Sequence, residues 1–161
     1  MSERNDYTTK FLYAFTKSIL NSERSIRWVA ITDQNGIIIN ERDREGLKHF
    51  LTIEENHEFA INTINRHKTR TKFEPKIGKL SYAIGRYEKL SRFIIPINEN
   101  YYMILTMDFE EYNFDKIIMH KIIPLIKEEK RGIPYQMITF KHRRSKFIST
   151  KQLIQSLFTY I

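Results

Sequence analysis

Cysteine is absent from the 161 residues. That excludes disulfides, thiolate zinc sites, iron–sulfur clusters and cysteine nucleophiles. Glycine is scarce, with five residues at positions 36, 46, 78, 85 and 132. No phosphate-cradling loop of the Walker or dinucleotide-binding type can be built on that spacing, and no serine sits in a Gly-x-Ser-x-Gly elbow. Long apolar runs are missing too. Segments such as Phe93-Ile94-Ile95-Pro96-Ile97 fall far short of the ~20 residues that span a bilayer. Val29 is the only valine, while Ile, Lys and Asn abound. This is a nucleotide-composition bias from which no function follows. No basic-then-apolar leader opens the chain and Ser2 excludes N-myristoylation, so a cytoplasmic protein is expected.

Hydrophobic residues make up 41% and charged residues 29%, the composition of a globular chain rather than a disordered one. The length suits one domain with a real core. The net charge of +8 is unevenly spread. Residues 127–161 carry eight basic and two acidic side chains, hence +6, and the preceding residues carry nineteen and seventeen, hence +2. A nearly neutral body is followed by a strongly basic tail.

The periodicity predicts a helix over 6–20, with Asp6 as its cap and Tyr7, Phe11, Ala14, Phe15, Ser18 and Ile19 on its stripe. A β-hairpin is predicted over 26–40. Asn35-Gly36 would supply the positive φ angles of a tight turn, and the charged run Glu41 to Arg44 suits an edge. A second helix is predicted over 53–67, capped by a Thr52–Glu55 box, with Ile53, Ala60, Ile61 and Ile64 buried, then a basic linker from Lys68 to Lys72. Three strands follow, over 80–87, 91–97 and 101–107. The last two are nearly all apolar, which asks for helices on both faces of the sheet. Pro96 belongs at a strand end or bulge. A third helix is predicted over 114–130, capped by Asn113 and kinked at Pro124, with Ile118, Ile122, Leu125 and Ile126 on one side. Trp28, Ile31, Phe15, Ile64, Ile95, Ile104 and Leu105 are expected in the core.

Candidate chemistry is sparse. His57-Glu58 opens like a zincin helix, but Ile61 stands where the second histidine must be. His57 then reads as a partly buried packing residue. Glu54, Glu55 and Glu58 read as a solvated face that complements the helix dipole. Gly85, inside a strand, could mark a bulge or a close approach of another backbone, and relief of crowding beneath a packed helix ranks slightly ahead of these. No catalytic, cofactor-binding or metal-ligating residue is assigned, and no enzyme activity or cofactor is expected.

The order αββαβββα, with the turn Asp33-Gln34-Asn35-Gly36 after the first helix, resembles the roadblock/dynein light chain family. The stretch Gly78 to Leu90, followed by Phe93 to Ile97, is similar to archaeal proteins of that architecture. Profilin-like and longin-like domains share much of the arrangement. The resemblance covers residues 5–130. It implies an α/β fold of the α+β type, with a five-stranded antiparallel sheet between helices, to which the basic C-terminal extension read from the charge is added. The expected strand order is second, first, fifth, fourth, third, with the first and third helices on one face and the second on the other. The domain is expected over 1–130, with residues 131–161 appended. The resemblance also implies a non-catalytic adaptor, a homodimer that continues the sheet across the third strands and packs the second helices together, and a protein partner such as a small GTPase or a membrane-associated scaffold.

The tail offers the other candidate surface. Lys141, His142, Arg143, Arg144 and Lys146 lie between Phe140 and Phe147. They could neutralise phosphates of nucleic acid, with the phenylalanines stacking on bases, or meet an anionic membrane surface. Leu153, Ile154, Leu157 and Phe158, with Ile161, share one helical face and would dock on the body or on a partner. A solvated tail that folds back on the body ranks just ahead of these. The adaptor reading leads. Nucleic-acid binding through the tail is the alternative, followed by a small-ligand sensor of PAS or GAF type.

Overall fold

The computed structural model describes residues 3–129. α1 (Glu3–Ser22) leads into β1 (Ile26–Asp33) and β2 (Ile38–Asp43). Then come α2 (Ile53–Thr71), a short α3 (Glu74–Ile77), β3 (Ala83–Arg86), β4 (Leu90–Pro96) and β5 (Tyr101–Asp108). A final helical run comprises α4 (Phe114–Ile117), a π-helical turn over Ile118–Ile122, and α5 (Ile123–Glu129). The five strands form one antiparallel sheet in the order β2-β1-β5-β4-β3. That is the order expected from the sequence.

Alternation along the strands sorts side chains to two faces. Val29, Ile31, Phe93, Ile95, Met103 and Leu105 pack against Leu12, Phe15 and Ile19 of α1 and against Ile118, Ile122 and Ile126 of the C-terminal run. On the other face Trp28, Ala30 and Ile104 meet Ala60 of α2, and Ile94 and Tyr102 meet Ile64. All seven expected core residues are buried. Pro96 ends β4, where its missing N–H interrupts no interior ladder.

Local departures from expectation have physical causes. Asp6 lies inside α1, which starts at Glu3, so it is not the cap. The buried stripe of α1 is rotated toward Leu12 and Thr16, leaving Ala14 exposed. Thr16 tolerates burial because its hydroxyl bonds the Leu12 carbonyl and Asn40 Oδ1, each at 2.9 Å. The turn after β1 uses positive φ at Gly36 alone, not at Asn35. Its shape comes from the Asp33 carboxylate, which accepts from the amides of Asn35 and Ile37.

The Thr52–Glu55 capping box forms as expected. α2 then continues through Thr71, so residues 68–71 are helix and not linker. Lys and Arg are good helix formers, and positive charge suits a helix C-terminus. β3 starts only at Ala83. The residues before it are drawn toward α3, where the Leu80 amide donates to the Glu74 carboxylate at 3.0 Å. Asn113 makes no side-chain cap. At Pro124 the disturbance takes the form of the π turn just before it. There the Ile123 amide reaches the Ile118 carbonyl five residues back, which widens the helix where proline cannot donate.

Candidate interface between the second helix and the third strand

β3 pairs only with β4, so among the described residues its outer edge is open. The opposite edge strand, β2, defends itself with Glu41, Arg42 and Asp43, as edge strands commonly do. β3 is short and carries Ile84 outward, 37% exposed, beside a half-exposed Tyr87. α2 packs over β1, β5 and β4 and faces β3 across a groove. Its Ile53 and Ile61, expected in the core, are exposed instead, and Thr63 and His67 take their places in the buried stripe. The first turns of α2 hold no buried residue, whereas Ala60 to His67 do. The contact with the sheet therefore falls in the second half of the helix.

Between α2 and β3 lies a groove of about 180 Å³, walled by Phe59, Thr63, Arg66, Arg70, Ile84, Tyr87 and Arg92 among others, with no carboxylate in its wall. A shallower depression of about 410 Å³, walled by Phe50, Leu51, Phe59, Tyr87 and Leu90, adjoins it. Arg92 is its central oddity. It projects from the interior strand β4 and is 5% exposed. Its guanidinium lies over the Phe59 ring at 4.0 Å and near Trp28 at 5.1 Å. One amino group donates to Asn56 Oδ1 at 2.9 Å, and Nε has no partner. Burial pushes its pKa down to about 10. Phe59 meets Tyr87 edge-on. A Cβ on Gly85 would lie 3.2 Å from the Tyr87 ring, so Gly85 makes room for that ring and not for a helix.

Other charged groups serve the frame. Asp108 accepts from Arg27 at 2.9 Å and Arg44 at 2.7 Å. Burial raises its pKa, but the bonds from Arg44 and Arg27 outweigh that and hold the carboxyl below its ordinary range. The Tyr82 hydroxyl donates to Asp115 at 2.6 Å. Burial and that bond push its pKa up to about 12.

His57 is exposed, contrary to expectation; the buried histidine of α2 is His67. Glu54, Glu55 and Glu58 are solvated, as expected. Among the described residues no group of three His, Asp or Glu side chains could hold a metal ion. None of the described helices is long and apolar enough to cross a membrane. A wider, open cleft of about 790 Å³ is walled by residues including His67, Glu74, Lys79, Met119, Ile123 and Lys127. The tail candidates Lys141, His142, Arg143, Arg144, Lys146, Leu153, Ile154, Leu157 and Phe158 lie outside the described residues.

Sequence reasoning passed over the groove. The available signal was Arg92, a lone charge inside the apolar run 91–97.

No family model and no curated protein matches the chain in sequence. Solved structures match its shape. A Roadblock/LC7 domain from Streptomyces avermitilis superposes with a TM-score of 0.57 at 9% identity, over 77% of this chain and 96% of that one. MglB from Myxococcus xanthus superposes at 0.54 with 13% identity, over 78% and 98%. An MglB in a tetrameric arrangement superposes at 0.56 with 10% identity, over 74% and 90%. At such identities the likeness is one of fold, and the fold of this chain is that of the Roadblock/LC7 domains.

Proposed function

We propose that the protein is a non-catalytic adaptor of the cytoplasm, acting as a homodimer through the β3 edge and the outer face of α2, and binding a protein partner of the small-GTPase class that the family resemblance implies. The observation that carries the reading is the open β3 edge with exposed Ile84 and Tyr87, together with exposed Ile53 and Ile61 on α2. An unprotected strand edge with apolar side chains is a template for pairing with another strand. The tetrameric arrangement of an MglB with this fold supports self-association. Sedimentation velocity of the full chain at micromolar concentration and physiological salt should give the dimer mass. Ile84→Arg, which places a charge on that edge, should give the monomer mass with the fold intact. A monomeric wild-type chain would refute the reading.

A second reading rests on the net +6 of residues 127–161. In it Lys141, Arg143, Arg144 and Lys146 contact phosphates of nucleic acid. Binding that weakens with salt, and is lost when the chain is ended at Arg131, would support it.

A further inference from the structure

We propose that α2 carries a self-complementary charge ladder that sets the geometry of the dimer: Glu58 and Glu54 of one copy pair with Arg66 and Arg70 of the second. The inference rests on the homodimer reading above and adds the device that orients it.

Glu54, Glu58, Asn62, Arg66 and Arg70 recur every four residues along α2, and all five are exposed. Side chains four apart lie along one ridge of a helix, and such ridges are the rows that interdigitate in the commonest helix pairings. The row is antisymmetric in charge about Asn62. Glu58 and Arg66 stand four residues to either side of it, and Glu54 and Arg70 stand eight. A two-fold axis at Asn62 therefore brings each carboxylate onto a guanidinium. A parallel pairing would place acid on acid and base on base.

None of these four side chains makes an ion pair within the described part of the chain. Arg66 bonds the Thr63 hydroxyl at 3.3 Å and lies over the Phe59 ring. Arg66 and Arg70 also line the groove that contains Arg92, and among the described residues no carboxylate enters that wall. Arg92 is buried with its Nε unpartnered. The groove thus holds uncompensated positive charge on the side where the second copy would bring two glutamates. The half-exposed Tyr87, which lines the groove with Arg66 and Arg70, provides apolar contact beside the ladder.

Two folded variants test this, one with Glu54→Arg and Glu58→Arg, the other with Arg66→Glu and Arg70→Glu. Each carries a row of one sign and should self-associate at least ten-fold more weakly than wild type. Mixed, they should form a one-to-one heterodimer in native mass spectrometry. The chain with all four changes should dimerise like wild type. Circular dichroism checks that α2 is retained in each, and the mixture and the four-change chain keep the test decisive where a two-change chain folds poorly. If both two-change chains dimerise as wild type does, or if mixing restores nothing, the ladder is wrong while the dimer stands. A monomeric wild-type chain would overturn the ladder together with the homodimer reading.

Discussion

Beneath α1 and the C-terminal helices the sheet is closed by aliphatic and aromatic side chains, from Val29 and Ile31 to Phe93, Leu105 and Ile118. Beneath α2 the apolar clusters are small, and Arg92, His67 and Thr63 are buried among them. The first face has the composition of a core whose one task is to exclude water. The second buries a guanidinium that, among the described residues, meets no carboxylate and is held by Asn56 and the Phe59 and Trp28 rings instead. The difference teaches that α1 and the C-terminal helices close the sheet with apolar packing alone, whereas the α2 side, with its groove and open edge, buries polar groups among its apolar ones.

Breaking the apolar face should have the largest effect. Leu105→Ala removes a fully buried side chain from the central strand and should cost about 2–5 kcal/mol in urea denaturation. A midpoint unchanged from wild type would contradict the assignment of that face as the stabilising one. Next comes the anchor of α2. Gly36 has φ +83°, and a Cβ there would lie 2.6 Å from the Ile61 Cα. Gly36→Ala strains the turn and pushes it from the helix, at about 2 kcal/mol. A loss well below that would mean that α2 yields freely.

Smaller still is the acid response of the α2 side. Burial lowers the pKa of His67 below its ordinary 6.5, with Glu74 opposing and Arg70 adding to the shift, while the Tyr102 ring packs edge-on. The folded chain holds His67 neutral, and the unfolded chain takes up a proton at pH values below 6.5. Its contribution is constant above that pH and is lost as pH falls toward the folded value, with a slope of at most about 1.4 kcal/mol per pH unit. His67→Gln should flatten that part of the stability-against-pH curve. An unchanged curve would assign the acid response to other groups. The smallest effect is expected at Arg92. Arg92→Met, which keeps the packing on Phe59 and Trp28 without the charge, should leave stability within about 1 kcal/mol of wild type or raise it. A loss of several kcal/mol would show that the buried guanidinium holds the α2 face together and would erase the contrast between the faces.

Much of the architecture was legible in the residues. β1, β4 and β5 are apolar on both sides and must be interior, and Glu41 to Asp43 mark an edge. The groove was not legible, because its walls come from α2, β3 and β4, which are distant in sequence. The rotation of each helix was readable only in part. On α1 the period placed Phe15 and Ile19 correctly but not Thr16, whose burial depends on Asn40 across the fold. On α2 it grouped Ile53 and Ile61 with Ala60 and Ile64, yet the helix spans 19 residues and only Ala60 to His67 supply its buried side chains.

The sequence by itself determined the element order and the strand faces, because hydrophobic alternation and turn chemistry are local and repeat along each element. Only the tertiary structure decided which stretch of α2 meets the sheet, that His67 and not His57 is buried, and that three arginines converge on a groove with no carboxylate among the described residues. Those outcomes depend on where one element ends above another, a distance between remote parts of the chain that no local period encodes.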